Sequence, residues 1–408
     1  MRGDHVTSGP GLMAMLVMLG FCGPFALQIF LPSMPGLVSE FDTDHAAVQL
    51  TISLYLATFA VAQLGFGPLS DRFGRRRVIL GGMVVYVVAP IICANAASIE
   101  ILAAGRMLQA VGACAGLMFA RVVSRDLFGR DRAAGVIGFI TMSTALIGVT
   151  TPLLGGWIDV TFGWRVSFWL TSGYGFVVFC ITLRWFPETH PGGRGTNVLA
   201  TFREGFALLR SPVFLGYAGH GTCTLSAWYA MVSGLPFVMV DALGQPTTAF
   251  GAYFPLLSLG YMAGNLITAR AAGNWGIQRL MNGGLGFALL ACPAMIVWCV
   301  VFQPAPLALF VPMGLISLGH GMSQPAATSA AIGVNPAVAG SAAGFMGFGQ
   351  WLVAAMTAQV VGMTQDGTIW PTTIVVVGFT ALSAGAYVLA RWGEARARAL
   401  DPMQPRSS

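Results

Sequence analysis

Apolar runs of about twenty residues or more recur along the whole chain, divided by short stretches that hold nearly all of its charge. The runs 11–31 and 212–240 contain no Asp, Glu, Lys or Arg at all. A water-soluble core cannot absorb so many such segments, whereas a bilayer requires them. A soluble chain carries about 25% charged residues; this one of 408 residues carries 9%, with 56% hydrophobic residues. The runs lack the polar/apolar alternation of barrel strands, so helices are the structure that satisfies their backbones in lipid. Twelve spans are expected, at about 11–31, 47–69, 78–97, 100–122, 134–158, 165–186, 212–240, 248–270, 279–302, 305–328, 338–362 and 369–391. The fold class is all-α, a polytopic membrane protein. The first run, from Leu12, is long enough to be a span and not a cleaved leader.

Arginine placement tests that count. All 21 basic residues are Arg, and nineteen of them fall on one side if twelve helices alternate without a break. Arg165 lies on the other side and Arg106 lies inside the fourth span. Basic residues concentrate on the cytoplasmic side, so both termini are expected there, in a multi-pass membrane protein. The one long connection, Pro187 to Ser211, divides the chain into a six-helix half at 1–190, a cytoplasmic linker at 191–211, a second six-helix half at 212–395 and a tail at 396–408. Within the linker, the stretch from Thr201 to Arg210 suits a short surface helix or a plain tether. The chain contains both halves, so a monomer is expected.

Several chemistries are disfavoured. The formal charge of +6 is spread over membrane-facing loops and does not suggest nucleic acid. The seven cysteines fall in apolar runs without metal-ligand spacing. No His-Glu-x-x-His, Ser-His-Asp set or phosphate-binding Gly-Lys loop is present, so no enzyme, metal, cofactor or ATP use is read.

Gly67 to Arg77, GPLSDRFGRRR, is a polar turn between two apolar runs. It resembles the loop signature of the major facilitator superfamily, with Asp71, Arg72, Gly74 and Arg75 in its key places. Arg106, Gln109 and Gly112 resemble the family's fourth-helix motif, with Ala110 in place of its first Gly. Thr151-Pro152-Leu-Leu-Gly155-Gly156 is similar to the antiporter motif of helix 5, with Thr151 in place of Gly. Leu31-Pro32-x-x-Pro35, Trp164-Arg165-x-x-Phe168-Trp169 and Ser233-Gly-x-Pro236-Phe237-Val238 look like the bicyclomycin- and chloramphenicol-resistance branch of drug/proton antiporters. One departure stands out: where that branch has an acidic residue before Leu-Pro, this chain has Gln28, which cannot carry a proton.

The resemblance implies proton-coupled export of small amphipathic drugs by alternating access, with small-molecule substrate, protons and lipid as partners. The alternative is a metabolite exporter or uptake carrier of the same superfamily with different or no proton coupling. It also implies that Gly67, Asp71, Arg72, Gly74, Arg75, Arg121 and Asp126 gate the inner side, while Pro152, Gly155 and Gly156 let helix 5 bend and pack. Helices 1, 4, 7 and 10 would line a central cavity, which makes Gln28, Arg106, Gln109, Met118, Trp228, Tyr229 and Gln324 substrate-site candidates, joined by Tyr55 and Tyr253. Arg106 is buried at a cost of about 3 kcal/mol and must face a wet cavity or a partner. A net positive cavity favours neutral or anionic compounds. No acidic residue lies deep in a span, so His320, or else His220, is the candidate proton carrier; each also suits a plain buried hydrogen-bonded histidine.

Overall fold

The turn at Gly74 shows how the chain is punctuated. Helix α3 (His45–Phe73) ends and α4 (Arg75–Ala94) begins on either side of this single residue, at φ 89° and ψ 148°. Glycine reaches that region without steric cost, so two long helices meet with no intervening loop. The structure is a computed structural model that describes residues 10–189, 192–193, 198–302, 305–335 and 338–400.

Among the described residues every regular element is helical. Besides α3 and α4 these are α1 (Pro10–Gln28), α2 (Met34–Glu40), α5 (Ile99–Phe162), α6 (Arg165–Trp185), α7 (Val198–Leu208), α8 (Pro212–Phe237), α9 (Thr247–Val301), α10 (Pro306–Gly333), α11 (Ala339–Thr364) and α12 (Trp370–Leu400). A 3₁₀ turn at Leu31–Ser33 joins α1 to α2, and a π-helical turn at Val238–Ala242 extends α8. Among the described residues ten helical stretches are long and apolar enough to cross a membrane, two of them, Ile99–Phe128 and Met142–Phe162, within α5. Large apolar side chains such as Trp157, Leu290, Val300 and Val388 stand exposed on their outer faces, which a lipid solvent accommodates and water does not.

One expected boundary is corrected. The loop expected at about 123–133 is helical, so α5 extends from Ser98, whose side chain caps it, to Gly163. No proline falls within 123–133 to stop the helix there. At about 1.5 Å per residue a straight rod of 64 residues would far overshoot a bilayer. It does not run straight: Ser98 and Ile99 adjoin Glu40, and Arg165, just past its far end, pairs with the same Glu40 at 2.7 Å. Both ends of α5 therefore lie at one end of the molecule, and the helix doubles back. In α9 the backbone leaves helical geometry at Gly276 (φ 73°, ψ 160°), inside the connection expected at 271–278, so two helices meet there.

α1 is the axis of the amino-terminal helices. Pro24 lacks the N–H that would bond the preceding turn. Three tyrosines from neighbouring helices donate to α1 carbonyls: Tyr55 to Gly23 at 3.3 Å, Tyr86 to Cys22 at 2.8 Å and Tyr174 to Met18 at 2.6 Å. On the carboxy-terminal side α10 is wedged between both segments of α9. Gly321 lies against the backbone of Tyr261, and Gly319 against that of Gly284. Small residues allow this approach, since dispersion contacts and not the hydrophobic effect drive helix association in lipid.

The connection between the two helix sets is split in its attachments. Glu188 accepts from the backbone N–H of Arg75 at 3.0 Å, Gly193 donates to the Asp71 carbonyl at 3.0 Å, and Thr189 bonds Asp126 at 2.9 Å. Further on, α7 packs on α11 through Phe206 against Phe345 and through Glu204, which accepts from Ser341.

Candidate transport site

The charged turn predicted from Gly67–Arg77 carries an ion pair between Arg75 and Asp126. Asp126 lies within α5, not past the end of a shorter helix. Arg72 rests its guanidinium over Phe73 at 5.2 Å, and a Cβ added to Gly67 would stand 3.9 Å from the end of Met118. Arg121 is solvent-exposed, interacts electrostatically with Tyr261, and has no carboxylate in ion-pair range among the described residues.

Helices α1 to α6 meet helices α8 to α12 chiefly at the end opposite this turn. His45 Nε2 lies 2.9 Å from Asp241, and its ring packs edge-on to Phe237. Gln359 donates to the Ala46 carbonyl at 3.2 Å, and Thr247 to Asp159 at 3.4 Å. Backbones touch there: a Cβ added to Gly251 would stand 2.5 Å from the Pro152 oxygen, and one on Gly156 3.2 Å from Thr248 Cα. Gly155 in turn presses on the Ile29 carbonyl of the α1 end. Thus Pro152, Gly155 and Gly156 lie at a three-way crossing of α5 with α1 and α9. Deeper in, Phe59 packs on Trp351 at 4.8 Å and Ser258 donates to the Gly148 carbonyl at 3.2 Å.

Of the two surroundings expected for Arg106, a wet cavity or a partner, the structure gives the partner. It is fully buried. Its Nη1 donates to the Ala26 carbonyl at 2.9 Å and to Gln109 Oε1 at 2.5 Å. The guanidinium lies 4.4 Å from the Tyr55 ring centroid, 4.9 Å from Phe30 and 6.0 Å from Phe168. Each such contact contributes about 0.5–2 kcal/mol, and together they offset the desolvation of the charge. Tyr55 and Gln109 are buried with it, so these three residues form a sealed knot that fixes α1, α3 and α5.

The remaining candidates separate into two groups. Half-buried Trp228 packs on Tyr261 at 5.4 Å, and Tyr261 donates its hydroxyl to Gln324. Buried Tyr229 packs on Trp351 at 5.6 Å. Gln28 is half-buried against Gly148, each of its amide atoms 3.4 Å from where a Cβ would stand, and its Oε1 has no protein partner. These side chains converge from α1, α8, α9, α10 and α11 on the space between the two helix sets. Tyr253 does not join them: its ring packs on Phe310 at 5.5 Å, within the α9–α10 contact. Two helical turns separate it from Tyr261, which the sequence reading missed. Eight residues advance a helix by about 80° beyond two full turns, so the two tyrosines point to different faces.

His220 and His320 are both buried. His220 Nδ1 lies 3.0 Å from the Ser383 carbonyl of α12, while His320 has no protein partner at either nitrogen.

Residues 16–358 match the profile of the Major Facilitator Superfamily. The chain is 30% identical over 372 residues to "Multidrug resistance protein D" of Escherichia coli (strain K12), covering 86% of this chain and 89% of that one. It is 26% identical to the "Chloramphenicol resistance protein" of Pseudomonas aeruginosa, covering 88% and 87% of the two. Among solved structures, a "peptide transporter POT in complex with sulfate" superposes with a TM-score of 0.74 at 15% identity, covering 96% of this chain and 95% of that one; this is a likeness of fold. Carrying that profile over most of its length on a multi-helix apolar scaffold, the chain belongs to the Major Facilitator Superfamily, a family of transporters.

Proposed function

We propose that this chain exports small amphipathic compounds by proton-driven alternating access across the bacterial inner membrane, as a monomer with both termini in the cytoplasm. Twelve spans follow from the ten candidates if α9, 55 residues with a break at Gly276, crosses twice and the 26-residue α11 crosses once. At about 1.5 Å per residue α9 has length for two crossings of a core about 30 Å thick. The halves are then 1–190 and 212–395, with 191–211 the linker and 396–408 the tail. The split attachment of the linker, one end on the α3–α4 turn and α7 on α11, suits a tether between two bodies that rock.

The observation that carries the reading is the one-sided contact between the halves. Latch contacts such as His45–Asp241 and Gly251–Pro152 gather at one end, while at the arginine-rich end the ion pair Arg75–Asp126 lies within one half. An interface of this kind can open at one side while it closes at the other. Gly67, Asp71, Arg72, Gly74, Arg75, Arg121 and Asp126 would then exchange partners when the inner side closes, and Pro152, Gly155 and Gly156 would bear the movement at the outer side. The substrate would sit against Trp228, Tyr261, Gln324, Tyr229, Met118 and Gln28. Exposed Arg121 replaces sealed Arg106 as the source of positive potential, which favours neutral or anionic compounds. The names of the relatives make chloramphenicol the first compound to try.

The test is resistance conferred on an efflux-deficient host, measured for chloramphenicol and a panel of amphipathic antibiotics with and without an uncoupler. Resistance that survives collapse of the proton gradient rules out antiport. A metabolite exporter or uptake carrier without this coupling is the second reading, favoured by Gln28, a neutral amide with an unpartnered oxygen at the meeting of α1 and α5.

A further inference from the structure

Within the carboxy-terminal helices lies a group of buried polar atoms without protein partners. They are Nε2 of His220 on α8, both ring nitrogens of His320 and Oγ of Ser323 on α10, and Nε2 of Gln350 on α11. His220 and Ser323 are among the most deeply buried polar residues, and His320 is only 2% exposed. Gln350 faces the residue after His220: its Nε2 lies 2.7 Å from where a Cβ on Gly221 would stand. The two imidazoles are near enough to interact electrostatically.

Buried polar groups are almost always bonded, to protein or to ordered water. Five such atoms on three helices that pack against one another call for internal water as their partner. The walls around them are neutral. The α12 wall supplies the Ser383 carbonyl, which fixes Nδ1 of His220, and the Tyr387 ring, centred 6.3 Å from that imidazole. From α9, Thr268 is already bonded to the Met322 carbonyl at 2.8 Å. Glu394 and Arg391 bind each other, and Glu394 also accepts from Tyr217. Among the described residues no carboxylate or guanidinium acts on either imidazole.

We propose that His220 and His320 form the proton-binding site of the transporter, a water-bridged imidazole pair that supplies the titratable group which the amide of Gln28 cannot. This rests on the proton-coupled reading given above. The step is a simple exchange. The lone pair of an imidazole nitrogen takes a proton from hydronium when the pocket is open to outer water, and the imidazolium returns it to water on the inner side. No other bond is made or broken. Coupling to substrate follows from position. Gln324, which holds Tyr261, is one turn beyond His320 on α10. A substrate seated on Trp228 and Tyr261 therefore acts on the same turn of helix that carries the proton. Two imidazoles in one pocket repel when both are charged, so the pair holds a single proton and titrates as a unit.

The experiment uses the full chain, labelled with ¹⁵N-histidine, in lipid nanodiscs. Imidazole nitrogen signals are followed from about pH 8 to about pH 5, with His220→Gln and His320→Gln assigning the two rings. The expected result is that both signals titrate and that removing either ring shifts the titration of the other. Rings that stay neutral throughout, or that titrate independently, overturn the proposal. This arm needs no substrate and, on the wild-type chain, no variant that folds. In parallel, proteoliposomes are loaded with chloramphenicol. Either variant is expected to elute as a monodisperse peak on size-exclusion chromatography, which certifies folding, and to lose accumulation driven by a proton gradient. Accumulation retained in both variants also overturns the pair. A wild-type protein indifferent to the gradient counts instead against antiport as a whole, and the histidine titration then decides the pair by itself.

Discussion

Arg106 reaches across from α5 to the carbonyl of Ala26, 2.9 Å away, and so grips α1 two residues after the kink-forming Pro24. Only one terminal nitrogen makes hydrogen bonds; Nε and Nη2 have no acceptor and are enclosed with the rings of Tyr55, Phe30 and Phe168 around the guanidinium. That geometry ranks substitutions in an unusual order. Lys keeps the burial cost of a charge, about 3 kcal/mol, but loses the planar group that bonds and stacks at once. Met removes both the charge and its partners, and apolar replacements of buried charges often come out near neutral. Arg106→Lys is therefore expected to be the less stable of the two, by about 1–3 kcal/mol. Thermal unfolding of the purified proteins, followed by size-exclusion chromatography, checks the ranking. An Arg106→Lys protein as stable as wild type excludes the ring contacts as a significant term.

Gly251 and Pro152 hold α9 and α5 together backbone to backbone. A methyl group at position 251 would meet the Pro152 oxygen at 2.5 Å, well inside contact distance. Gly251→Ala is expected to push α5 and α9 apart and to shift the protein towards opening at that end, with the fold otherwise retained. Spin labels on the α3 start and the π-turn at Val238–Ala242 should report a longer distance. Gly378→Ala, at a position with open space around it, is the control and should leave the distance unchanged.

The contact of His45 with Asp241 is a weaker closure of the same end. Both side chains are about a third exposed, and pairs of that kind contribute about 0.2–1 kcal/mol. Asp241→Asn is expected to raise the open-to-closed ratio at most about fivefold, since 1 kcal/mol is a factor of about five. Labelling rates of a cysteine placed beside Phe59 on α3 read that ratio. A change of a hundredfold would mean that the pair is the principal latch.

How much of this was legible in the sequence depends on what each residue has to touch. The spans, the hinge at Gly74 and the location of Arg106 within a helix are dictated by lipid, which admits no unbonded backbone and few charges. Local chemistry therefore announces them. The continuity of α5 through residues 123–133 was not legible, because a charged, polar segment reads as loop whether or not it is helical. The partner of Arg106 was hidden for another reason: its cage is built from Phe30, Tyr55 and Phe168 on three separate elements. The same holds for the binding face. Tyr253 and Tyr261 look alike in sequence, and only the packing of α9 on α10 turns one towards Phe310 and the other towards Gln324.

At the arginine-rich end, Asp126 joins α5 to the α3–α4 turn through Arg75 and to the linker through Thr189. Asp126→Asn keeps the shape and the threonine contact but removes the charge. If the ion pair must form and break in each cycle, the substitution is expected to lower the transport rate at least about tenfold, a change of about 1.4 kcal/mol in barrier, while apparent affinity is little altered. Initial rates in vesicles over a range of chloramphenicol concentrations separate the two parameters. A purely structural brace would instead lower the amount of folded protein and leave the rate per molecule intact.

The two tyrosines of α9 give the sharpest test of the proposed seat. Tyr261 places a hydroxyl on Gln324 and a ring on Trp228, facing the space between the halves. Its removal to Phe leaves the ring in place and strands the Gln324 oxygen, at a cost of about 1–3 kcal/mol if that oxygen stays dry. Tyr261→Phe is expected to raise the apparent KM several-fold, with the rate at saturation less affected. Tyr253→Phe, altered in the α9–α10 contact where the ring alone meets Phe310, should leave both unchanged. Transport kinetics of the two variants, side by side in the same vesicles, decide the matter: equal effects would remove Tyr261 from the substrate site and return the choice of lining residues to the helices themselves.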